Sequence, residues 1–299
     1  MTFEPITLDN RDRMMDVLSR GHRASNEYSF ATNYIWREVY DLSACIYGDM
    51  LVIRSDESDP TYIFPSGGGD LKRVMDALLA HEKENGRKLY INTILPGDAE
   101  KLKALYPDVF VYEDNRDGHD YLYDAQSLIT LSGKKLASKR NHLNRFEQMH
   151  RDWKLEPITP DNLDEVREMN RQWCREANCE ESKSLSMEHM AVEQALIHMQ
   201  ALKLDGALIR SRGQILAFAL GEPLNDDTYV VHVEKAKADV QGAYQIINRE
   251  FAAAYAGDYA YINREDDAGD EGLRKAKLSY RPIRMVEKLT AEQVRDVDL

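Results

Sequence analysis

Thr228-Tyr-Val-Val-His-Val233 is the last of three apolar runs that follow one another closely in the second half of this chain. The two runs before it are Gly206-Ala-Leu-Ile-Arg210 and Ile215-Leu-Ala-Phe-Ala-Leu220. Each run has the length and the branched or aromatic content of a β-strand. Because only short polar segments connect them, we expect the three strands to be antiparallel neighbours in one sheet.

Helical and strand-like patterns alternate on both sides of these three strands. Apolar residues recur at helical spacing in two segments before the runs and two after them, and each later helix is followed by a strand. The resulting order, α-α-β-β-β-α-β-α-β, predicts a mixed sheet with helices on both sides. The predicted helices cover residues 164–176, 186–202, 242–256 and 271–278, and the added strands cover 259–263 and 283–287.

The first half of the chain repeats this alternation. Gly48-Asp49 is typical of a hairpin turn, and Asp70 is typical of the N-cap of a helix that Asn85-Gly86 ends. We therefore predict an α/β fold with mixed sheets and two modules: residues 1–130, a basic connecting helix at 131–154, and residues 155–299, which hold the candidate site. The strands predicted in the first module are 42–47, 50–54, 62–64, 88–92 and 109–112.

The composition is that of a globular protein with two cores. The chain has 299 residues, of which 43% are hydrophobic and 30% charged. No apolar run approaches the ~20 residues that cross a bilayer, and the first residues lack the pattern of a secretory signal. We expect no transmembrane segment and a cytoplasmic location. Cys45, Cys174 and Cys179 lack paired spacing, which predicts reduced thiols and no metal site.

The charge is unevenly distributed. The net charge of −13 opposes non-specific attraction to polyanions, so we expect no DNA partner. Residues 133–154 are the exception, with seven Lys or Arg residues against Glu147 and Asp152. An anionic partner is therefore expected at this segment.

Two long motifs resemble an uncharacterised bacterial family related to the catalytic domain of phosphatidylglycerol lysyltransferase. The first comprises Asp120-Tyr-Leu-Tyr123 and Leu131-Ser-Gly-Lys-Lys-Leu-Ala-Ser-Lys-Arg-Asn-His-Leu-Asn-Arg-Phe146. The second is Ile262-Asn-Arg-Glu-Asp-Asp-Ala-Gly-Asp-Glu-Gly-Leu-Arg-Lys-Ala-Lys-Leu-Ser-Tyr-Arg-Pro282, and a weaker similarity begins at Glu27-Tyr-Ser-Phe-Ala-Thr-Asn33. The resemblance implies two GNAT-like acyltransferase modules in tandem, a fold shared with Fem-type peptidoglycan aminoacyltransferases.

The same resemblance implies a reaction class. The expected function is transfer of an acyl or aminoacyl group, from aminoacyl-tRNA or an acyl-coenzyme A, to an amine or hydroxyl acceptor. The donor is then a small molecule or a charged tRNA, and no tightly bound cofactor is expected. The sequence makes no prediction of the oligomeric state.

A basic helix carries the first group of candidate residues. On a helix, side chains four positions apart share a face, so residues 139–145 offer guanidinium and amide groups to anionic oxygens. This face is predicted to bind the phosphates of the donor. An internal role, pairing with acidic residues of the same chain, remains open. The predicted donor-binding residues here are Lys139, Arg140, Asn141 and Arg145.

The second group follows the strand that ends at Asn263. Polar side chains at a strand end that faces a helix N-terminus commonly line ligand sites in α/β sheets. Glu265 and Asp267 are candidate general bases, and Asn263 is a candidate for orienting a carbonyl. A structural role as turn formers and helix caps is equally open. Three basic residues complete the predicted donor-binding set: Arg264, Arg274 and Lys277.

Glu234, just after the central strand, is the third candidate. In GNAT folds the backbone beyond this strand runs beside the pantetheine arm, and a carboxylate there often deprotonates the acceptor. The following loop, Lys237-Ala-Asp-Val-Gln-Gly242, has one glycine and is a weak phosphate cradle. This loop therefore favours aminoacyl-tRNA over an acyl-coenzyme A as the donor.

A different function class fits the same residues. The chain is alternatively a non-catalytic binding or scaffold protein on a degenerate GNAT fold. Convergence of Glu234, Glu265 and the basic helix on one groove favours catalysis. Salt bridges that occupy these groups favour the scaffold.

Overall fold

The computed structural model describes residues 1–56 and 59–298 of the chain. The strands are β1 Glu4–Pro5, β2 Leu42–Tyr47, β3 Met50–Ser55, β4 Thr61–Gly67, β5 Tyr90–Ile94, β6 Phe110–Asp114, β7 Asp120–Asp124, β8 Lys154–Pro157, β9 Asp205–Ser211, β10 Gln214–Pro223, β11 Thr228–Ala236, β12 Tyr261–Asn263, β13 Arg284–Val286 and β14 Leu289–Gln293. The helices are α1 Arg11–Ser19, α2 Phe30–Trp36, α3 Leu71–Glu84, α4 Pro96–Leu105, α5 Ala125–Thr130, α6 Ala137–Met149, α7 Leu163–Glu176, α8 Lys183–Ile197, α9 Met199–Leu202, α10 Ala243–Tyr255 and α11 Glu271–Leu278. Within the described ranges, no helix has both the length and the apolar character needed to span a membrane.

The chain forms two compact units. The first comprises Met1–Asp120, Asp266–Gly269 and Val286–Leu299, and the second comprises Tyr121–Glu265 and Asp270–Met285. This division differs from the predicted boundaries at residues 130 and 154. The predicted connecting helix, α6, packs on α10 and belongs to the second unit, because Leu143 and Phe146 enter that unit's core.

The sheet of the first unit has the order β1-β2-β3-β4-β5-β14-β6. Strands β2, β3 and β4 form an antiparallel meander, and α3 connects β4 to its parallel neighbour β5. The predicted cap of α3 is present, since the Asp70 carboxylate accepts hydrogen bonds from the backbone of Lys72 and Arg73. The α3 residues Val74 and Leu78 are fully buried against the sheet.

The sheet of the second unit has the order β13-β7-β12-β11-β10-β9-β8. The three strands predicted between residues 206 and 233 are β9, β10 and β11, and they are antiparallel neighbours as predicted. Helix α10 connects β11 to its parallel neighbour β12, and Ile246, Ile247 and Phe251 of that helix fill the core. The predicted fold class, α/β with two mixed sheets, is confirmed.

Four strands were not predicted from the sequence: β1, β7, β8 and β14. Strand β7 lies beside β12 in the second sheet, and β14 lies between β5 and β6 in the first. The predicted last strand at 283–287 corresponds to β13 in the second sheet, whereas β14 begins after it, at Leu289, and belongs to the first sheet. Both β7 and β14 pair with strands distant in sequence, and local periodicity carries no information about such pairing.

Two of the three cysteines are joined. Cys174, near the end of α7, forms a disulfide with Cys179, and their Cα atoms are 5.2 Å apart. The expectation of three reduced thiols is therefore wrong for this pair. Cys45 is a free, buried thiol, and burial raises the pKa of Cys45.

The first prediction concerns Gly242, the N-cap of α10. Its φ is +87°, and a Cβ there would lie 2.5 Å from the His142 carbonyl oxygen and 2.8 Å from the Phe146 Cβ. Gly242→Ala is expected to destabilise the chain by about 1–3 kcal/mol, because backbone strain and a clash with α6 add. Thermal unfolding followed by circular dichroism measures the loss.

Gly97→Ala is the matched control for this substitution. Gly97 lies in α4, and a Cβ there has open space around it. Alanine is the better helix former, so this variant is expected to be as stable as the wild type or slightly more stable. Equal melting temperatures for the two variants would contradict the tight packing of Gly242 on α6.

Candidate functional site

The parallel pair in the second sheet separates soon after it begins. Strand β11 pairs with β12 only at Thr228, Tyr229 and Val230, whose partners are Tyr261, Ile262 and Asn263. On its other side, β11 stays paired with β10 up to Ala236. In the described chain no strand covers residues 231–236 on the β12 side. We call this opening the strand split.

The strand split follows from a turn at the end of β12. The Asn263 side chain is fully buried, and its Oδ1 accepts a hydrogen bond of 2.7 Å from the Glu265 backbone N–H. Glu265 itself has a φ of +55°, which turns the chain away from β11. Asn263 is thus placed to shape the turn, which is the structural alternative named for it above.

Strand β11 has a β-bulge at the strand split. Leu220 of β10 is opposite Val233, whereas the next residue, Gly221, is opposite Val231. His232 is therefore the additional residue on β11. A bulge changes the direction of neighbouring side chains. Here His232 contacts Glu265 and Glu234 contacts Arg264, the two residues that follow β12.

Glu234 is held by two partners. Its Oε1 accepts a hydrogen bond of 3.1 Å from Arg264 Nη2, and its Oε2 accepts one of 3.0 Å from Asn248 Nδ2. Both charged side chains are 11% exposed. Burial alone would lower the pKa of Arg264, but the attraction of Glu234 outweighs it and the pKa is raised. The Arg264 guanidinium therefore stays charged beside the Glu234 carboxyl group.

Two tyrosines and a lysine surround Arg264. Its guanidinium carbon lies 4.9 Å from the ring centre of Tyr280 and 5.6 Å from that of Tyr123. The Lys139 Nζ lies 4.1 Å from the same Tyr280 ring. Burial, and then repulsion by Arg264, lowers the pKa of Lys139. Lys139, Arg264 and Glu234, predicted from three separate motifs, thus lie in one cluster.

Glu265 belongs to a second, neighbouring group. The His232 ring is fully buried, with Nδ1 donating to Glu265 Oε1 at 2.8 Å and Nε2 donating to Glu222 Oε1 at 3.3 Å. Burial alone would lower the pKa of His232, but the hydrogen bonds that its ring donates to Glu222 and Glu265 raise the pKa to about 9. His232 is a cation at neutral pH, so Glu265 is ion-paired.

This arrangement predicts a pH dependence of stability. The pKa of His232 is about 9 in the folded chain against 6.5 for the free side chain, so its contribution is complete below pH ~6.5 and is lost as the pH rises through ~9. The shift corresponds to roughly 3 kcal/mol. Urea unfolding at pH 6, 7.5 and 9 should show this decline, and His232→Gln should lack it. Identical pH slopes for the two proteins would contradict the ion-paired histidine.

Asp267 is the third carboxylate among the predicted site residues. It is fully buried and belongs to the first unit, where Arg116 Nη1 lies 3.3 Å from its carboxylate. Its Oδ1 also accepts a hydrogen bond from the Gly269 backbone N–H. The role of general base predicted for Asp267 stays a prediction.

The other predicted donor-binding residues on and near α11 differ in placement. The Lys277 Nζ is buried and donates a hydrogen bond of 2.6 Å to the Arg264 carbonyl oxygen, which fixes the backbone that carries Arg264. Arg274 lies on α11 and is partly exposed. Lys277 thus supports the cluster around Glu234 through the backbone.

The predicted donor-binding residues of helix α6 fall into two sets, one with partners inside the protein and one exposed to solvent. Arg140 Nη1 donates to the carbonyl oxygens of Leu131 and Gly133, so it holds the turn before the helix. The side chains of Asn141 and Arg145 are exposed and have no polar partner in the described residues. The predicted phosphate-binding face is therefore reduced to these two residues, with Lys139 directed to the strand split.

Asn248 and Tyr280 belong to the cluster but were not among the predicted site residues. Asn248 is a buried amide among the apolar residues of α10, and Tyr280 is a buried tyrosine at the end of the second quoted motif. A polar residue on the buried face of an apolar helix is a usable signal, because a buried amide needs a partner. The pairing of Asn248 with Glu234 depends on the fold and had no local signal.

These observations define the class of protein. In the second unit a mixed sheet opens between two parallel strands, and a charged cluster lies beyond the opening. The chain belongs to the phosphatidylglycerol lysyltransferase C-terminal family, whose sequence profile matches residues 19–292. The resemblance stated above is therefore confirmed.

Solved structures of relatives share the fold. A conserved protein of unknown function from Bacteroides thetaiotaomicron is 37% identical, with 98% of this chain and 99% of that chain covered and a TM-score of 0.94. The C-terminal domain of a putative lysylphosphatidylglycerol synthetase from Agrobacterium fabrum is 16% identical, with coverages of 96% and 92% and a TM-score of 0.70. L-PGS from Bacillus licheniformis is 18% identical, with coverages of 99% and 95% and a TM-score of 0.68.

An uncharacterised protein of Mycoplasmoides gallisepticum is 28% identical over 203 residues. The alignment covers 67% of this chain and 63% of that relative, which is less than two thirds of its length.

Proposed function

We propose that the chain transfers an acyl or aminoacyl group from an activated donor to an amine or hydroxyl acceptor. The strand split between β11 and β12 carries this proposal. Backbone groups of residues 231–236 that face away from β10 have no neighbouring strand in the described chain, so they can hydrogen-bond an extended donor. The donor's carbonyl then lies near Glu234, which follows the bulge.

Glu234 is the proposed proton acceptor. Each of its carboxylate oxygens accepts one hydrogen bond, from Arg264 or from Asn248, so a lone pair on each remains available. The acceptor's nitrogen or oxygen attacks the donor carbonyl carbon and its proton passes to Glu234. The donor's ester or thioester bond then breaks, and the leaving hydroxyl or thiol takes up a proton as the new amide or ester forms.

The proposed acceptor site lies beside Asn248. Its Nδ2 donates to Glu234, whereas its Oδ1 is buried and has no hydrogen-bond partner in the described residues. An attacking amine or hydroxyl can donate to this oxygen while its reacting atom faces the donor carbonyl. Asn248 therefore joins Glu234 as a candidate for orienting the acceptor.

Aminoacyl-tRNA is the donor that we favour over acyl-coenzyme A. The loop at residues 237–242 contains one glycine, and that glycine packs against the α6 backbone, which leaves little room for a pyrophosphate. The exposed Asn141 and Arg145 on α6 offer donors to a nucleic-acid phosphate instead. The family name suggests lysine as the transferred group and phosphatidylglycerol as one acceptor.

A transfer assay with labelled donors tests the proposal. The purified chain is incubated with tRNA charged with radiolabelled lysine, and separately with a labelled acyl-coenzyme A, each with phosphatidylglycerol vesicles or a soluble amine. We expect label from the charged tRNA to appear in lipid or amine product above the uncatalysed rate. If both donors lose their label only at the rate seen without the protein, the chain is not a transferase for these substrates.

The ion pairs in the site favour one other candidate function. Glu265 is paired with His232 and Glu234 with Arg264, as expected for a non-catalytic binding protein. Such a protein would be stabilised by charged tRNA through mass action and yet transfer no label. Thermal unfolding with and without charged tRNA, run beside the transfer assay, separates the two functions.

A further inference from the structure

We propose that Lys139, Arg264 and Tyr280 form a subsite for one small oxyanion, a phosphate or carboxylate group. The subsite stands on its own contacts. Only the assignment of the oxyanion to the donor rests on the function proposed above.

The charges of the cluster are unequal. It contains two cations, Lys139 and Arg264, and one carboxylate, Glu234, which is bonded to Arg264. In the described residues, no carboxylate lies within ion-pair distance of Lys139. A partly buried ammonium without an anion is costly, and an oxyanion beside it would remove that cost.

Two hydrogen-bond donors in the cluster are unsatisfied. Arg264 Nη1 and the Tyr280 hydroxyl are buried and have no hydrogen-bond partner of good geometry in the described residues, although Tyr123 lies near Arg264 and Gln245 near Tyr280, and Tyr280 is only 4% exposed. More than nine in ten buried polar groups are partnered, so two orphan atoms in one cluster need an explanation. An oxyanion only accepts hydrogen bonds, so it suits these donors and the Lys139 ammonium together.

The Tyr280 ring holds the two cations in place. Lys139 Nζ and the Arg264 guanidinium carbon lie 4.1 and 4.9 Å from its centre, although the two cations repel each other. The attraction of each cation to the aromatic face offsets part of that repulsion. The subsite is therefore arranged before the anion arrives.

Titration of the full chain with inorganic phosphate tests the subsite. Binding is measured by calorimetry and by thermal unfolding at constant ionic strength, with acetate in a parallel arm. We expect saturable binding that weakens at least about tenfold in Lys139→Met and about fivefold in Tyr280→Phe, because each loses one donor to a charged group. Lys135→Met removes an exposed lysine of the same basic segment and should bind as the wild type does.

The two arms identify the oxyanion. Saturable binding of phosphate identifies a phosphate subsite, and saturable binding of acetate alone identifies a carboxylate subsite. The inference is overturned if neither probe saturates, or if Lys135→Met weakens binding as much as Lys139→Met does. Tyr280→Phe keeps the ring and removes only the hydroxyl, so it provides a test even if Lys139→Met fails to fold. A chain that binds phosphate but transfers nothing would refute the transferase and leave the subsite standing.

Discussion

Replacing Glu234 with glutamine is expected to slow transfer from charged tRNA by about 10²- to 10⁴-fold. The amide has nearly the shape of the carboxylate but accepts no proton, so the acceptor must attack the donor carbonyl while its nitrogen or oxygen still carries the proton, which makes it a weaker nucleophile. Single-turnover transfer of labelled amino acid with excess protein measures the chemical step. The effect should appear in that step and leave the affinity for donor within a few-fold of the wild type.

Glu250→Gln is the matched control for this substitution. Glu250 is also a partly buried carboxylate on an arginine, Arg249, but it lies on α10 outside the cluster around Glu234. Both variants weaken one ion pair, so circular dichroism should show both folded, with Glu234→Gln the less stable because Arg264 is more buried. A Glu234→Gln rate equal to that of Glu250→Gln would exclude Glu234 as the proton acceptor.

Local chemistry explains which parts of the fold the sequence predicts. The hairpin at Gly48-Asp49 and the cap at Asp70 depend on residues within a few positions of one another, and both occur in the structure. The three strands from 206 to 233 follow the same logic, since short connections make neighbours of consecutive strands. Propensity and turn signals suffice wherever the partners are close in sequence.

Pairing across long sequence distances explains what was missed. Strand β14 joins β5 although almost 200 residues separate them, and no local pattern indicates that neighbour. The same limit applies to the site. Glu234 and Glu265 were both chosen as carboxylates near a strand end, but their partners, Arg264 and His232, are set by the bulge and by the turn after β12.

Lys288 is a buried lysine that lies outside every motif discussed above, and we expect it to contribute strongly to the stability of the first unit. Its side chain is fully buried in the first unit, and its Nζ donates to Asn26 Oδ1 at 3.1 Å, Glu27 Oε1 at 2.6 Å and Asp120 Oδ1 at 2.6 Å. Burial alone would lower the pKa of Lys288, but Asp120 and Glu27 outweigh it and raise the pKa. The Lys288 ammonium therefore stays charged at neutral pH. Each of its three protons is donated to one of these oxygens.

Lys288→Met is expected to destabilise the first unit by about 3–5 kcal/mol, because it leaves the buried carboxylate of Asp120 and the mostly buried carboxylate of Glu27 without their cation. Urea unfolding measures this loss, which is a large part of the ~5–15 kcal/mol that holds a typical domain folded. Lys103→Met, which breaks an exposed pair with Glu100, should cost no more than about 1 kcal/mol.

A triple variant keeps this last prediction testable if Lys288→Met does not fold. Combining Lys288→Met with Glu27→Gln and Asp120→Asn removes all three charges, so no unpaired ion remains buried and much of the lost stability should return. Recovery in the triple variant would identify the unpaired carboxylates as the cause of the loss. A triple variant no more stable than Lys288→Met alone would instead mean that the hydrogen bonds of this cluster, rather than its charges, hold β14 in the first unit.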